Sequence, residues 1–320
     1  MERILASLKG TLDKSFLTDL RAFLSIHKNE SQFAIFSDYC IDAKNKFNNV
    51  ASFTIAPSWA ATPKIVELLA EKIPKDIKKT KCIDRDIIEA LSNRTFFHVT
   101  FILKSTAGVL YSKGHTDQHV ALLNMDSVTE MIKMWIINQP EGKEKFEEQI
   151  KRFSIAKSEL SKKSANMKLF KLISVVAMLA AYLAFLLSKE AKCKSIVWFS
   201  DRDKIIDAFG EICRELFEIN HYGLCLKEMA EMEISKVGYG IDDAGIDRLW
   251  FDSLIRLPDY MAGTIASWDM NENLVSSPKH SELLRRVFAQ NPFCVLISAT
   301  IGRSNFSFSR IDVSKAHFGV

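Results

Sequence analysis

The sequence is short of the features that mark stapled, secreted or repetitive proteins. Its six cysteines, Cys40, Cys82, Cys193, Cys213, Cys225 and Cys294, are scattered. None stands in a C-x-x-C pair or at zinc-like spacing from a histidine, which excludes a zinc module and predicts reduced, mostly buried thiols of a cytoplasmic protein. Charge of one sign is missing too: Lys and Arg number 43 against 39 Asp and Glu, a net of +4. The chain as a whole is therefore no polycationic nucleic-acid coat, and any basic surface must be local. The first 28 residues lack the continuous apolar stretch of a secretory signal. No P-loop G-x-x-x-x-G-K-[ST] and no G-x-S-x-G occurs, which argues against a P-loop ATPase and an α/β-hydrolase. Internal repeats and low-complexity linkers are absent as well.

What is present is an ordinary globular balance, 48% apolar and 26% charged over 320 residues, enough for one elaborated domain with a sizeable core. Residues 1–30 read as an N-terminal helical segment and 31–320 as the main domain. Phe33 to Phe36 predicts a strand running into Ser37-Asp38, and Val50 to Ala56 a second strand, paired as an antiparallel hairpin. Thr62-Pro63 opens a helix, Asp84 to Leu91 a shorter one, and Phe96 to Leu103 a further strand. This alternation predicts α/β layering, a mixed sheet flanked by helices. Asp117 to Asn138 and Glu144 to Lys163, separated by Gln139-Pro140-Glu141-Gly142, predict a helical insert over about residues 114–165 that offers a surface for a protein partner.

Leu172 to Leu187 carries no charge, but it is shorter than the roughly 20 apolar residues of a bilayer span, and the strand Ser195 to Phe199 follows closely. The expectation is a helix buried in the core, with no membrane partner. Leu224 and Leu226 suggest a strand within His221 to Glu233. Gly238 to Gly245 reads as a glycine-rich acidic loop, Leu254 to Trp268 and Ser281 to Phe288 as helices, and Cys294 to Thr300 and Phe306 to Val313 as strands.

The chemistry resides in the acids. Asp38 and Asp201-Arg202-Asp203 end apolar strands, where α/β sites collect, and Asp252 and Asp259 lie one heptad apart before and on a helix. Singly, Asp38 reads equally as a turn residue, and Asp201 or Asp203 as a helix N-cap. Asp259 is different: it interrupts the otherwise apolar inner side of its helix, where a carboxylate is expensive unless it meets a cation. Hard divalent ions take oxygen ligands, and phosphodiester hydrolysis needs carboxylates converging from separate elements. His115 and His119, four residues apart, read as a solvated helix start rather than a ligand pair.

The run Asp252-Ser253, followed by Leu257-Pro258-Asp259-Tyr260-Met261-Ala262-Gly263-Thr264-Ile265, resembles the closing motif of the family known as domain of unknown function 3800, a ribonuclease H-like group. The strand ending at Asp38 with its return strand Ala51 to Ala56, the stretch Asp76-Ile77-Lys78-Lys79-Thr80-Lys81, and the strand Ile196 to Phe199 ahead of Asp201 are also similar to that family's pattern. Together they cover most of residues 31–270. The resemblance implies a ribonuclease H-like fold and a nuclease that binds Mg2+ or Mn2+ through Asp38, Asp76, Asp201, Asp252 and Asp259. It further implies catalysis by Asp38, Asp76, Asp201 and Asp259 with Lys78 on a phosphate, nucleic acid as partner, and a setting in bacterial antiphage defence. Two departures stand out: Tyr39-Cys40 follows Asp38 where the family usually has Glu-Ser-Gly, and Asp76 replaces a Glu. They support the rival expectation of an interaction subunit that keeps the fold without the activity.

Overall fold

Side chains alternate across a strand, so a strand packed on both faces feeds two separate cores. β1 (Gln32–Cys40) sends Phe33, Ile35 and Tyr39 into one core and Ala34 and Phe36 into the other. The computed structural model describes residues 2–229, 233–240 and 251–314. Around β1 stand β2 (Val50–Pro57), β3 (Phe97–Ser105), β4 (Ser195–Ser200), β5 (Lys236–Tyr239) and, after a small hairpin of β6 (Trp268–Asp269) and β7 (Leu274–Val275), β8 (Cys294–Ile301) and β9 (Phe306–Ile311). Seven of these form one sheet in the order β5–β4–β1–β2–β3–β8–β9. It is mixed: β1 and β2 pair antiparallel as the sequence predicts, whereas β1 with β4, β4 with β5 and β3 with β8 run parallel. The protein is an α/β structure with helices on both faces of a mixed sheet.

One face carries α1 (Glu2–Ser15), α2 (Leu17–Ile26), α5 (Asp117–Asn138), α6 (Lys143–Leu160), α7 (Met167–Ala191) and α8 (Lys204–Glu228). The other carries α3 (Pro63–Lys72), α4 (Arg85–Leu91), α9 (Asp252–Ala266) and α10 (Pro278–Leu283). α1 also guards the sheet's edge. Its Ser7 and Thr11 hydroxyls donate to the Phe306 and Phe308 carbonyls of β9 at 3.1 and 2.7 Å, occupying acceptors that would otherwise invite another strand.

α7 explains the uncharged run. Among the described residues it is the one helix long and apolar enough to cross a bilayer, yet 89% of its most apolar window is buried. Its whole circumference is taken up by the sheet and the neighbouring helices, so no hydrophilic stripe is needed.

Two sequence expectations are corrected. The segment around Leu224 and Leu226 is the end of α8, not a strand: His221, Leu224 and Cys225 are buried at helical spacing while Leu226 faces out. Lys236 to Tyr239, expected partly as loop, forms the edge strand β5. The remainder of the acidic loop, from 241, and Leu249-Trp250 lie outside the described residues.

Candidate active site

β1 and β4 run parallel with Ser37 opposite Ser200, and the Asp201 N–H donates to the Ser37 carbonyl at 3.1 Å. Asp38 and Asp201 are thus neighbours at the carboxyl ends of adjacent strands. Parity gives both the same direction: Asp38 follows Ala34 and Phe36, and Asp201 follows Val197 and Phe199, all on the core shared with α9. Asp259 comes down from α9 to meet them. The three carboxylates, with Asp76, Asp203 and Lys78, line one cleft of about 630 Å³.

The cleft's rim is held by α9. The Arg256 guanidinium donates to the Ala70 carbonyl at 3.1 Å, to the Ile73 carbonyl, and to Asp252 at 3.1 Å. The Tyr260 hydroxyl meets Thr80 Oγ1 at 2.7 Å, and Asp259 Oδ2 accepts from the Ile77 N–H at 3.3 Å. From the other side Lys279 Nζ donates to the Ile77 and Thr80 carbonyls at 2.6 and 2.9 Å. The loop of Asp76 and Lys78 is thereby fixed against the acids. Gly263 permits the approach, since a Cβ there would meet Ile77 Cγ2 at 2.8 Å.

Burial dominates the electrostatics. The Asp38 carboxyl is pushed well above its ordinary value, first by desolvation and then by the charges of Asp259 and Asp201. Asp259 and Asp201 are raised too, again chiefly by burial. Asp38 and Asp259 act on each other directly, and the Asp38 carboxyl is the more strongly raised of the two. The ion pairs nearby go elsewhere: Arg256 and Lys75 both reach Asp252, at 3.1 and 3.8 Å.

The predicted residues therefore separate into groups. Asp38, Asp201 and Asp259 converge; Asp76 lines the same cleft but turns its Oδ1 to the Lys78 N–H at 2.7 Å. Asp252 is not part of the lining and is neutralised by its two cations. His115 and His119 stack at the exposed start of α5, with ring centroids 4.9 Å apart. Among the described residues no group of three or more His, Cys, Asp or Glu stands close enough to form a ready-made metal cage. The donor chemistry nonetheless suits a hard cation, because Asp38, Asp201 and Asp259 bring carboxylate oxygens to one cleft from separate elements.

Sequence reasoning missed the cations of the far wall. Lys46 enters from the β1–β2 connection and Lys279 from the start of α10. Both sit in polar stretches with no local pattern to single them out. His280, beside them, is held neutral by burial, its pKa lowered to about 4.

No protein-family profile matches the chain, and no curated protein or solved structure is similar to it.

Proposed function

We propose that the protein is a metal-dependent phosphodiesterase acting on nucleic acid, built on a ribonuclease H-like sheet. One observation carries the reading: Asp38 and Asp201 from adjacent strands and Asp259 from a helix line one cleft whose other lining includes Lys46, Lys78 and Lys279. An acidic wall suits a divalent ion and a basic wall suits phosphate. A bound Mg2+ or Mn2+ would supply Lewis-acid activation of the phosphodiester and neutralise the leaving oxygen. Asp38 and Asp259 would hold it, and Asp201 would complete the set from the adjacent strand. Lys78, on the exposed loop, contacts the phosphate. The antiphage setting rests on the family resemblance alone.

The test is Mg2+- or Mn2+-dependent cleavage of single- and double-stranded DNA and RNA by the wild type and Asp259→Asn. Equal cleavage by both proteins, or none by either, rejects the assignment. A second reading, a non-catalytic interaction subunit presenting α5 and α6 to a partner, is favoured by one observation, that the carboxylates do not already form a cage among the described residues. Under that reading Mn2+ leaves the melting temperature unchanged.

A further inference from the structure

The cleft has two chemically distinct ends. Asp259, Gly263 and Ser267 follow one another at intervals of four along one face of α9 and past its last turn. At 1.5 Å per residue, Gly263 lies about 6 Å and Ser267 about 12 Å from Asp259 along the axis; Ser267 is fully buried outside the cleft lining, and its hydroxyl turns back to the Gly263 level. Gly263, with no side chain, lines the cleft between them.

The Ser267 end is built around Lys46. Its Nζ donates to the Ser267 hydroxyl, which in turn donates to the Gly263 carbonyl at 2.7 Å. The backbone just after it is clamped to the end of α9: Phe47 N–H donates to the Ala266 carbonyl at 2.9 Å, and the Asn48 amide to the Ile265 and Trp268 carbonyls at 2.9 and 2.7 Å. Lys46 is therefore a positioned ammonium, half-buried, and not a loose surface lysine. Burial and the nearby charges of Lys78 and Lys279 hold it below the ordinary lysine value. Lys46, Lys78 and Lys279, from three separate segments, line this one cleft, and an anion bound among them would offset their mutual repulsion. The Ser277 hydroxyl, buried in the same lining, has no hydrogen-bond partner among the described residues.

We propose that the Lys46 end is a second phosphate subsite, which receives the phosphate adjacent to the one that reacts at the carboxylates. The protein is then selective for substrates carrying two or more phosphates along a chain, an oligonucleotide over an isolated phosphodiester. This deepens the phosphodiesterase reading and rests on it. Lys46 acts here as a specificity residue and touches neither the metal nor the scissile bond.

The experiment compares wild type, Lys46→Ala and Lys46→Arg in Mn2+ on two substrates, a single-stranded oligonucleotide and bis(p-nitrophenyl) phosphate, with thermal melts to verify folding. The expected result is a KM for the oligonucleotide raised about tenfold or more in Lys46→Ala relative to any change with the small diester, and largely restored in Lys46→Arg. Equal losses on both substrates, or no loss on either, overturn the subsite. If the wild type cleaves neither substrate, the phosphodiesterase reading itself fails, and the subsite is judged by fluorescence anisotropy of a labelled 5′-phosphorylated oligonucleotide. Undiminished binding by Lys46→Ala then overturns it on its own.

Discussion

Replacing Asp38 with asparagine tests the heart of the cleft without removing volume. The Asp38 carboxyl is raised well above the ordinary range by burial and by Asp259 and Asp201, so folding favours its protonated form. Between its unfolded and folded pKa values the native state binds the extra proton, so stability falls as pH rises through that window and levels off above it. One such proton is worth about 1.4 kcal/mol per pH unit. With an unfolding entropy of roughly 2 cal/mol/K per residue over 320 residues, that is about 2 °C of melting temperature per pH unit. The amide of the Asp38→Asn variant does not titrate, so the melting temperature of Asp38→Asn minus that of wild type grows with pH from about 4 and then plateaus. Groups away from Asp38, including His98 and His221, cancel in the difference. Mn2+ at a hundred times its dissociation constant stabilises a binding protein by about 2.7 kcal/mol, here about 4 °C, and Asp38→Asn removes most of that gain. The assay is differential scanning fluorimetry across pH 4 to 8.5, with and without Mn2+. Parallel pH curves for the two proteins would refute the raised Asp38 carboxyl, and an equal Mn2+ shift in both would refute its part in holding a metal.

Other outcomes follow from the same geometry. Gly263→Ala forces a methyl against Ile77 and displaces the loop of Asp76 and Lys78; a loss of about 1–3 kcal/mol in urea denaturation is expected, together with reduced cleavage. Arg256→Met keeps the aliphatic length but strips the donors from the Ala70 and Ile73 carbonyls and from Asp252, which lowers stability by about 3 kcal/mol. His98, His221 and His280 are buried with pKa values lowered to about 4, so the unfolded chain takes up protons from pH 6.5 downward while the native protein does not. Their contribution is present above pH 6.5 and lost towards pH 4, and His98→Gln should flatten that part of a denaturation series against pH. Leu183→Ala, on fully enclosed α7, should lower stability by about 2–5 kcal/mol.

The site is legible in the sequence where a local rule is broken. A carboxylate at position 259 among Leu257, Pro258, Tyr260 and Met261 violates the helix's own apolar pattern, and Asp201 follows an apolar strand, whereas Asp38, expected to end β1, lies two residues inside it. Strand parity, once the pairing is given, aims both at α9. Asp252 obeys the same acidic pattern, yet an arginine four residues on, Arg256, takes its charge, a pairing visible only when the guanidinium's carbonyl partners are known. Lys46 and Lys279 break no rule in their own segments; long-range clamps on the end of α9 and on the Ile77 loop give them their places. The end of α8 imitates a strand because two leucines two residues apart satisfy alternation by chance, and β5 escapes notice because a four-residue edge strand with a glycine carries almost no pattern.

α7 has a consequence for how the chain comes into being. It leaves the ribosome ahead of β4 and α8, which pack against it, so for the time needed to synthesise those segments a helix as greasy as a membrane anchor has only part of its sheath. Aggregation competes with folding in that interval, and chains truncated just after α7 should collect in inclusion bodies where the full-length chain does not.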